Sequence, residues 1–270
     1  MDKVKLSIII VNYNCGKYLE ECLKSIYEKC TSFPFEIVIF DNNSSDNSIA
    51  FLENDFKDVI LIKSNENLGF AGGNNKAAEK AKGEYILLLN NDTILLKDIN
   101  PLFNIFESDP KIGVLGIKML NTEQKYIPSF GKFPTSTRLL RFTNLNYNTT
   151  EFLTGNFNEK THIQVDWVSG SFLLTKKEIW QQIKGLDEDY FMYVEDVDFC
   201  KKVALNGKKT VLAPSLSYIH HVGFNSSREM NLIKGYFLYS SKHFNKFEQI
   251  IAKLSLSLNY AIKKAFKNLH

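Results

Sequence analysis

Apolar residues fall in short, almost unbroken runs through the first third of the chain. Leu6 to Val11, Glu36 to Phe40, Val59 to Ile62 and Tyr85 to Leu89 are such runs. A run of this kind predicts a strand buried on both faces, as in a parallel sheet. Between the runs the period becomes helical. Leu19, Cys22, Leu23 and Ile26 share one face of Lys17 to Lys29, a short helix is expected after Asp46, and Ala71 to Lys82 reads as a helix of small residues. Alternating strands and helices predict an α/β fold with a mostly parallel central sheet and right-handed crossovers. After Asp92 the alternation weakens. Asn100 to Glu107 looks helical and Ile112 to Met119 extended, whereas residues 131–160 have no clear period and read as a long irregular segment of the lid or mobile kind. Order returns with strands at Ile163 to Val168 and Ser171 to Thr175 and a helix at Lys176 to Ile183. A second helix, Glu195 to Leu205, is stopped by Asn206-Gly207. Short strands follow at Thr210 to Leu212 and Leu216 to His220, and helices from Met230 onward.

Polar residues cluster where these elements end. Ligands of open α/β sheets bind beyond the carboxyl ends of the strands. Besides the end of the fourth strand, four loops matter, each following a strand or opening a helix. The first is Val11-Asn12-Tyr13-Asn14. The second begins at Asp41, whose carboxylate could accept from the ring N–H of a uracil or thymine base, or could belong to a cap of the next helix. The third, Asn65 to Asn75, holds Asn67, Gly69, Gly72, Gly73, Asn74 and Asn75; it could bring a helix N-terminus to a diphosphate, or serve a tight turn and close packing. The run Tyr85 to Leu89 ends in Asn90-Asn91-Asp92, where Asp92 could hold a hard cation against a phosphate, or simply form a turn. The fourth loop, Tyr193-Val194-Glu195-Asp196-Val197-Asp198, opens a helix with three carboxylates behind Tyr190-Phe191-Met192. Capping accounts for acids there, but an aromatic wall beside a carboxylate also raises its pKa and makes it a better base. Trp167-Val168-Ser169-Gly170 is either another wall of that pocket or buried structure.

Composition narrows the classes. The 270 residues suffice for one large domain or two small ones, and a net charge of +3 does not suggest a nucleic-acid binder. The charge is uneven: from Asn225 onward the chain carries +6, leaving −3 on the rest. Cys15, Cys22, Cys30 and Cys200 form no Cys-x-x-Cys pair and read as reduced thiols. The sequence enters a strand pattern at once, without a signal peptide, and no apolar run approaches the length of a membrane span.

Taken in order, Ser7-Ile8-Ile9-Ile10-Val11-Asn12-Tyr13-Asn14, Asp41-Asn42-Asn43-Ser44-Ser45-Asp46, Asn67-Leu68-Gly69-Phe70-Ala71-Gly72-Gly73-Asn74, Asn90-Asn91-Asp92-Thr93, Trp167-Val168-Ser169-Gly170, Gly185-Leu186-Asp187-Glu188 and Phe191-Met192-Tyr193-Val194-Glu195-Asp196-Val197-Asp198 form a specific set. Over residues 5 to 225 the chain resembles family 2 glycosyltransferases of the GT-A fold, nearest the bacterial rhamnosyltransferase-like subgroup. The resemblance implies a Rossmann-like nucleotide-binding catalytic domain over 1–225, followed by a basic amphipathic helical region over 226–270. It implies a nucleotide-sugar donor, dTDP-rhamnose first and a UDP-sugar second, held by Val11, Asn12, Tyr13, Asp41, Asn67, Gly69, Asn74, Asn75 and Asn91. Asp41 matches the base-binding residue. Asp92 matches the last aspartate of the Asp-x-Asp motif that holds Mg²⁺ or Mn²⁺, with Asn90 at the first position and His220 completing the site, His221 being its rival. Asn in place of Asp at position 90 should weaken the metal site. Asp196 matches the catalytic base, with Glu195 beside it, and Trp167, Ser169, Gly170 and Tyr193 fall on the acceptor side.

The implied activity is inverting transfer of a sugar onto a hydroxyl of a bacterial surface glycan or lipid-linked saccharide. The expected location is the cytoplasm, with peripheral contact at the inner face of the cell membrane. Two other classes share these features: a nucleotidyltransferase, which would want a Gly-rich loop with Lys or Arg where Asn12 to Gly16 stands, and a non-catalytic glycan-binding scaffold. Lysines interleaved with apolar residues beyond Met230 suggest a helix that packs on the catalytic domain before about residue 248, and beyond it one that lies on a membrane or in a homodimer.

Overall fold

The computed structural model of the protein describes residues 3–157, 160–221 and 228–267. The first half alternates as expected: β1 (Leu6–Asn12), α1 (Gly16–Lys29), β2 (Phe35–Asp41), α2 (Leu52–Asp55), β3 (Ile60–Lys63), α3 (Gly69–Ala78) and β4 (Tyr85–Leu89). The short strand β5 (Thr93–Leu95) follows, then α4 (Pro101–Ser108), β6 (Ile112–Leu120), β7 (Tyr126–Ile127) and β8 (Phe130–Gly131). Next come 3₁₀ turns at Arg138–Leu140 and Phe142–Leu145, α5 (Thr150–Thr154), β9 (Ile163–Val165), β10 (Trp167–Val168), β11 (Phe172–Lys176), α6 (Lys177–Ile183), α7 (Glu195–Leu205) and β12 (Lys209–His220). Two long helices, α8 (Arg228–His243) and α9 (Lys246–Lys267), close the chain.

The main sheet runs β3-β2-β1-β4-β11-β6-β12-β5, with β7 on β6 and β9 on β12. Strands β3, β2, β1 and β4 are parallel, and β11 enters antiparallel between β4 and β6. Both faces are covered, which explains the unbroken apolar runs. Leu6, Ile8 and Ile10 pack with Leu19, Leu23, Ile26 and Phe103 on one side; Ile9 packs with Ala71, Ala77 and Phe199 on the other. Tyr85, Leu87 and Leu89 alternate with Ile86 and Leu88 in the same way. A strand in this position needs apolar residues at every step.

Two expectations need correction, and one strand was not expected at all. Within the segment 131–160 the described residues are irregular but firmly packed: Leu139, Leu145, Phe152 and Phe157 are buried, and Phe152 stacks on Tyr147 with centroids 4.5 Å apart. It has no period because its side chains fill gaps between other elements rather than one face of its own. The stretches 210–212 and 216–220 are one strand, β12, broken in register between Ala213 and Ser217. Strand β5 is three residues long and gave no pattern to read; it pairs antiparallel with the end of β12 and so sets His220 opposite Thr93.

The packing expected before residue 248 is present: Tyr236 and Tyr239 of α8 share a core with Leu139, Tyr190, Val194 and Val197. It also continues beyond residue 248, where only a membrane or dimer face was expected, through Ala252 and Leu256 of α9 in the same core. The four cysteines are free thiols; burial pushes Cys22, Cys30 and Cys200 up to about 12, beyond easy reactivity.

Candidate active site

Asn12, Asp41, Asn90 to Asp92 and His220 all stand at the carboxyl ends of parallel strands, and the start of the antiparallel β11 brings Ser169 and Gly170 to the same edge. A chain of amides joins the first of these. Asn91 Nδ2 donates to Asn12 Oδ1 at 2.9 Å, and Asn12 Nδ2 donates to Asp41 Oδ1 at 2.9 Å and to Ser48 Oγ at 2.8 Å. Asn12 is wholly buried, so it fixes the spacing between the Asp41 and Asp92 loops. Asp41 Oδ1 also accepts from Ser44 Oγ at 2.6 Å, while Oδ2 holds one backbone N–H, that of Ser44, at 3.1 Å. The carboxylate thus closes its own turn and keeps acceptor capacity on Oδ2. Asn14, in the left-handed region at φ 50°, binds the amides of Ser45 and Asp46 and ties the first two loops together. Between them Tyr13 projects, half exposed, and Val11 lies under Gly73.

The glycine-rich loop plays a different part from a diphosphate cradle. The amide of Leu68 donates to Asn42 Oδ1, that of Gly69 to Asn67 Oδ1 and that of Phe70 to the carbonyl of Phe191. The amides nearest the start of α3 are therefore already engaged. Asn74 donates to the carbonyl of Phe70, and Asn75 bonds Leu186 from both ends of its amide and also reaches Glu188. These residues clamp α3 to the segment that leads into α7. Gly69 has φ +72°, and a Cβ there would stand 2.2 Å from the Phe191 carbonyl oxygen. Gly69→Ala is expected to cost more than about 2 kcal/mol, the left-handed penalty plus a backbone clash. A thermal melt checks this, and an unchanged melting temperature would refute it.

His220 meets the Asp92 loop. Its Nε2 lies 3.0 Å from Asp92 Oδ1 and 3.2 Å from Asn90 Nδ2, and its Nδ1 faces Met119 Sδ at 3.2 Å. Asp92 Oδ1 is buried and has no well-aligned hydrogen bond. Two acceptor atoms this close call for a cation between them or a proton on the ring. The arrangement fits a divalent ion on Asp92, His220 and the Asn90 amide, with few protein donors. No group of three or more His, Cys, Asp and Glu side chains among the described residues could hold one alone. His221 points elsewhere, its ring tilted against Tyr18 with centroids 4.6 Å apart and its Nε2 3.7 Å from Glu21.

On the far side, Asp196 Oδ2 accepts the Gly170 amide at 2.9 Å and Oδ1 the Val197 amide at 2.8 Å. A Cβ on Gly170 would press on the Phe70 ring, which would have to shift to let the loop reach Asp196 this closely. Ser169 bonds Ser171, whose hydroxyl is 2.6 Å from the buried Tyr218. Burial foremost, and also the charges of Asp92 and Asp196, push the Tyr218 phenol up. Trp167 donates to the carbonyl of Lys132 and packs in the core, with its ring edge at Gly131. Tyr193 and Val194 are both left-handed, at φ 73° and 76°, an uncommon pairing that turns α7 inward; Gly235 of α8 backs this corner.

The acids of α7 divide by environment. Asp198 is fully buried and paired, with His243 Nε2 at 2.7 Å and Lys202 Nζ at 2.7 Å. Lys202 and Lys242 both reach Asp187, and Lys242 also reaches Asp189. The Asp198–Lys202 pair, four residues apart on one helix, was legible in principle; His243 comes from a distant helix and left no local signal. Glu195 is buried with Oε2 unpartnered. Burial, then the charges of Asp196 and Asp198, hold its carboxyl well above the usual glutamate range, and burial also raises the half-buried Asp196. The two titrate as a pair.

A carboxyl raised in the folded state loses stability as the pH climbs from its unfolded value, because the folded chain must give up a proton it binds more tightly. Glu195→Gln is expected to melt above the parent at about pH 8 and to converge with it below about pH 4. Each kcal/mol of relief corresponds to about 2–4 °C. A parent that melts higher at about pH 8 would contradict the assignment.

Residues 7–173 match the family model described as Glycosyl transferase family 2. Among curated relatives, the chain is 27% identical over 242 residues to the N-acetylglucosaminyl-diphospho-decaprenol L-rhamnosyltransferase of Mycobacterium tuberculosis, covering 83% of this chain and 78% of that one. It is 29% identical over 265 residues to the low-salt glycan biosynthesis hexosyltransferase Agl10 of Haloferax volcanii, covering 94% and 81%. Among solved structures, GalNAc-T7 with UDP, GalNAc and Mn²⁺ superposes with a TM-score of 0.71 at 16% identity, over 89% of this chain and 48% of that chain.

Proposed function

The chain belongs to glycosyl transferase family 2 and has the GT-A fold, and from that premise we propose that it inverts a sugar during transfer from a nucleotide diphosphate to an acceptor hydroxyl. The convergence of Asp41, the Asp92–His220 contact and Asp196 on one sheet edge carries the reading. The family makes the protein a glycosyltransferase rather than a nucleotidyltransferase or a scaffold.

In this reading Asp41 Oδ2 receives the ring N–H of the base, and Tyr13 lies beside it. Asp92, His220 and Asn90 would hold Mg²⁺ or Mn²⁺ on the donor phosphates. A divalent ion there would offset charge on the departing diphosphate. Asp196 takes the acceptor proton as the acceptor oxygen attacks the anomeric carbon from the opposite face, so one protein carboxylate suffices at the sugar. The amides of Gly170 and Val197 hold that carboxylate in place, while the raised affinity of the buried pair for a proton strengthens the base.

For the donor we favour dTDP-rhamnose, since a rhamnosyltransferase is among the relatives, with UDP-sugars second. The acceptor proposed is a growing surface glycan or a lipid-linked saccharide at the inner face of the membrane. The test is release of free nucleotide diphosphate, with and without Mn²⁺, from dTDP-rhamnose, UDP-glucose and UDP-GlcNAc in the presence of lipid-linked saccharide. Acceptor-dependent release from dTDP-rhamnose alone supports the donor. Release from a UDP-sugar alone would replace it, and no transfer from any sugar nucleotide would overturn the reading.

A further inference from the structure

Helix α9 has two apolar sides, and only one of them is used. Ala252, Ser255, Leu256 and Asn259 turn inward, where Asn259 Nδ2 donates to the carbonyl of Leu140 at 2.9 Å. The outer side carries Phe247, Ile250, Leu254, Leu258 and Ile262, spaced by three and four residues and between 38% and 71% exposed. That spacing lines one face of a helix, so these side chains form a continuous stripe about four turns long.

Charge decides what fits the stripe. Lys246, Lys253 and Lys264 are exposed and fall on one flank of it by helical geometry. The only carboxylate in the sequence of α9, Glu248, accepts the Asn245 amide instead. Lys263, on the inner side, is already used in a pair with Glu229, and Lys242 of α8 pairs with Asp187 and Asp189. The outer face is therefore apolar and cationic, on a tail that carries +6. A second copy laid on it would bring lysines against lysines. No helix among the described residues is long and apolar enough to cross a membrane.

We propose that the outer face of α9 docks on a bilayer surface carrying anionic headgroups, with the stripe in the acyl boundary and the lysines at the phosphates. The Lys263–Glu229 pair holds the distal part of α9 against the first turn of α8. Docking along α9 would thus hold the catalytic domain at the surface from which a lipid-carried acceptor projects. The proposal concerns where the protein sits, and its test uses neither donor nor acceptor, so its outcome is independent of the transfer chemistry.

The experiment is co-sedimentation of the full chain with vesicles of phosphatidylcholine alone and of phosphatidylcholine with phosphatidylglycerol, at low salt. The chain is expected to partition onto the anionic vesicles, to stay off the neutral ones and to be released by salt. Each lysine contributes about fivefold, so Lys253→Glu with Lys264→Glu should weaken partitioning more than about twentyfold. Leu254→Glu should weaken it at least tenfold. Both variants change exposed side chains and should melt as the parent does. Absence from anionic vesicles, equal binding to neutral ones, or Leu254→Glu binding like the parent would each overturn the proposal. So would a dimer by light scattering that Leu254→Glu dissolves, which would assign the face to a second copy.

Discussion

Asp196→Asn is expected to reduce sugar transfer by about 10²–10⁴ while leaving donor affinity within about twofold, the loss typical of a removed general base. The substitution is close to isosteric but has one acceptor oxygen where the carboxylate has two. In the parent the two oxygens take the amides of Gly170 and Val197 separately. The variant keeps one of these bonds and sets its own NH₂ against the other amide, at about 1–3 kcal/mol. A melt lower by several degrees is therefore compatible with the assignment; unfolding is not required by it. The discriminating readout is kcat at saturating donor, with donor affinity measured separately. The parent should also show an ascending pH limb above the ordinary aspartate range, because burial raises the Glu195–Asp196 pair. Its position reports the pair and not either residue alone. A folded Asp196→Asn enzyme that turns over normally would remove Asp196 from the mechanism.

The parts of the fold that the sequence disclosed are those whose burial is set by a single element. Ile8 to Ile10 and Ile86 to Leu88 are apolar at every position because helices cover both faces of the sheet, and that condition is written in the residues themselves. The helix Glu195–Leu205 and its stop at Asn206-Gly207, with Gly207 at φ +74°, were readable for the same reason. Elements defined by distant partners were not. The 3₁₀ turn at Arg138–Leu140 is held by Asn259, some 120 residues later. Strand β5 exists only because β12 returns beside it.

The candidate site divides along the same line. Motif residues lie where strands end, so their grouping at one edge follows from topology. What each contacts does not. Asn12, Asn74 and Asn75 look alike in the sequence as polar residues in or beside loops, yet each is occupied by protein partners. Which of two adjacent histidines faces Asp92 depends on the register of β12 against β5, and that register puts His220 opposite Thr93. His243, which anchors the acidic helix through Asp198, sits in a tail whose visible pattern is its lysines.

Asp92→Ala is expected to abolish the Mn²⁺-dependent part of donor binding, whereas Asn90→Ala weakens it and His220→Ala falls between. The order follows from ligand chemistry: a hard cation prefers a charged oxygen, then an imidazole or neutral amide. The geometry favours the same order. Asp92 Oδ1 is the buried atom without a hydrogen bond, and His220 Nε2 sits 3.0 Å from it. Removing the Asp92 side chain leaves its backbone carbonyl to accept the His221 amide, so the loop should keep its course. A donor at about 100 times its Kd stabilises the folded state by about 2.7 kcal/mol, which a thermal shift resolves readily. In the parent, nucleotide sugar with Mn²⁺ should raise the melting temperature well beyond either alone. In Asp92→Ala that synergy should vanish, and in Asn90→Ala it should persist at higher ligand concentration. An Asn90→Ala variant more damaged than Asp92→Ala would assign the cation to other ligands, and full synergy in both would place it away from this loop.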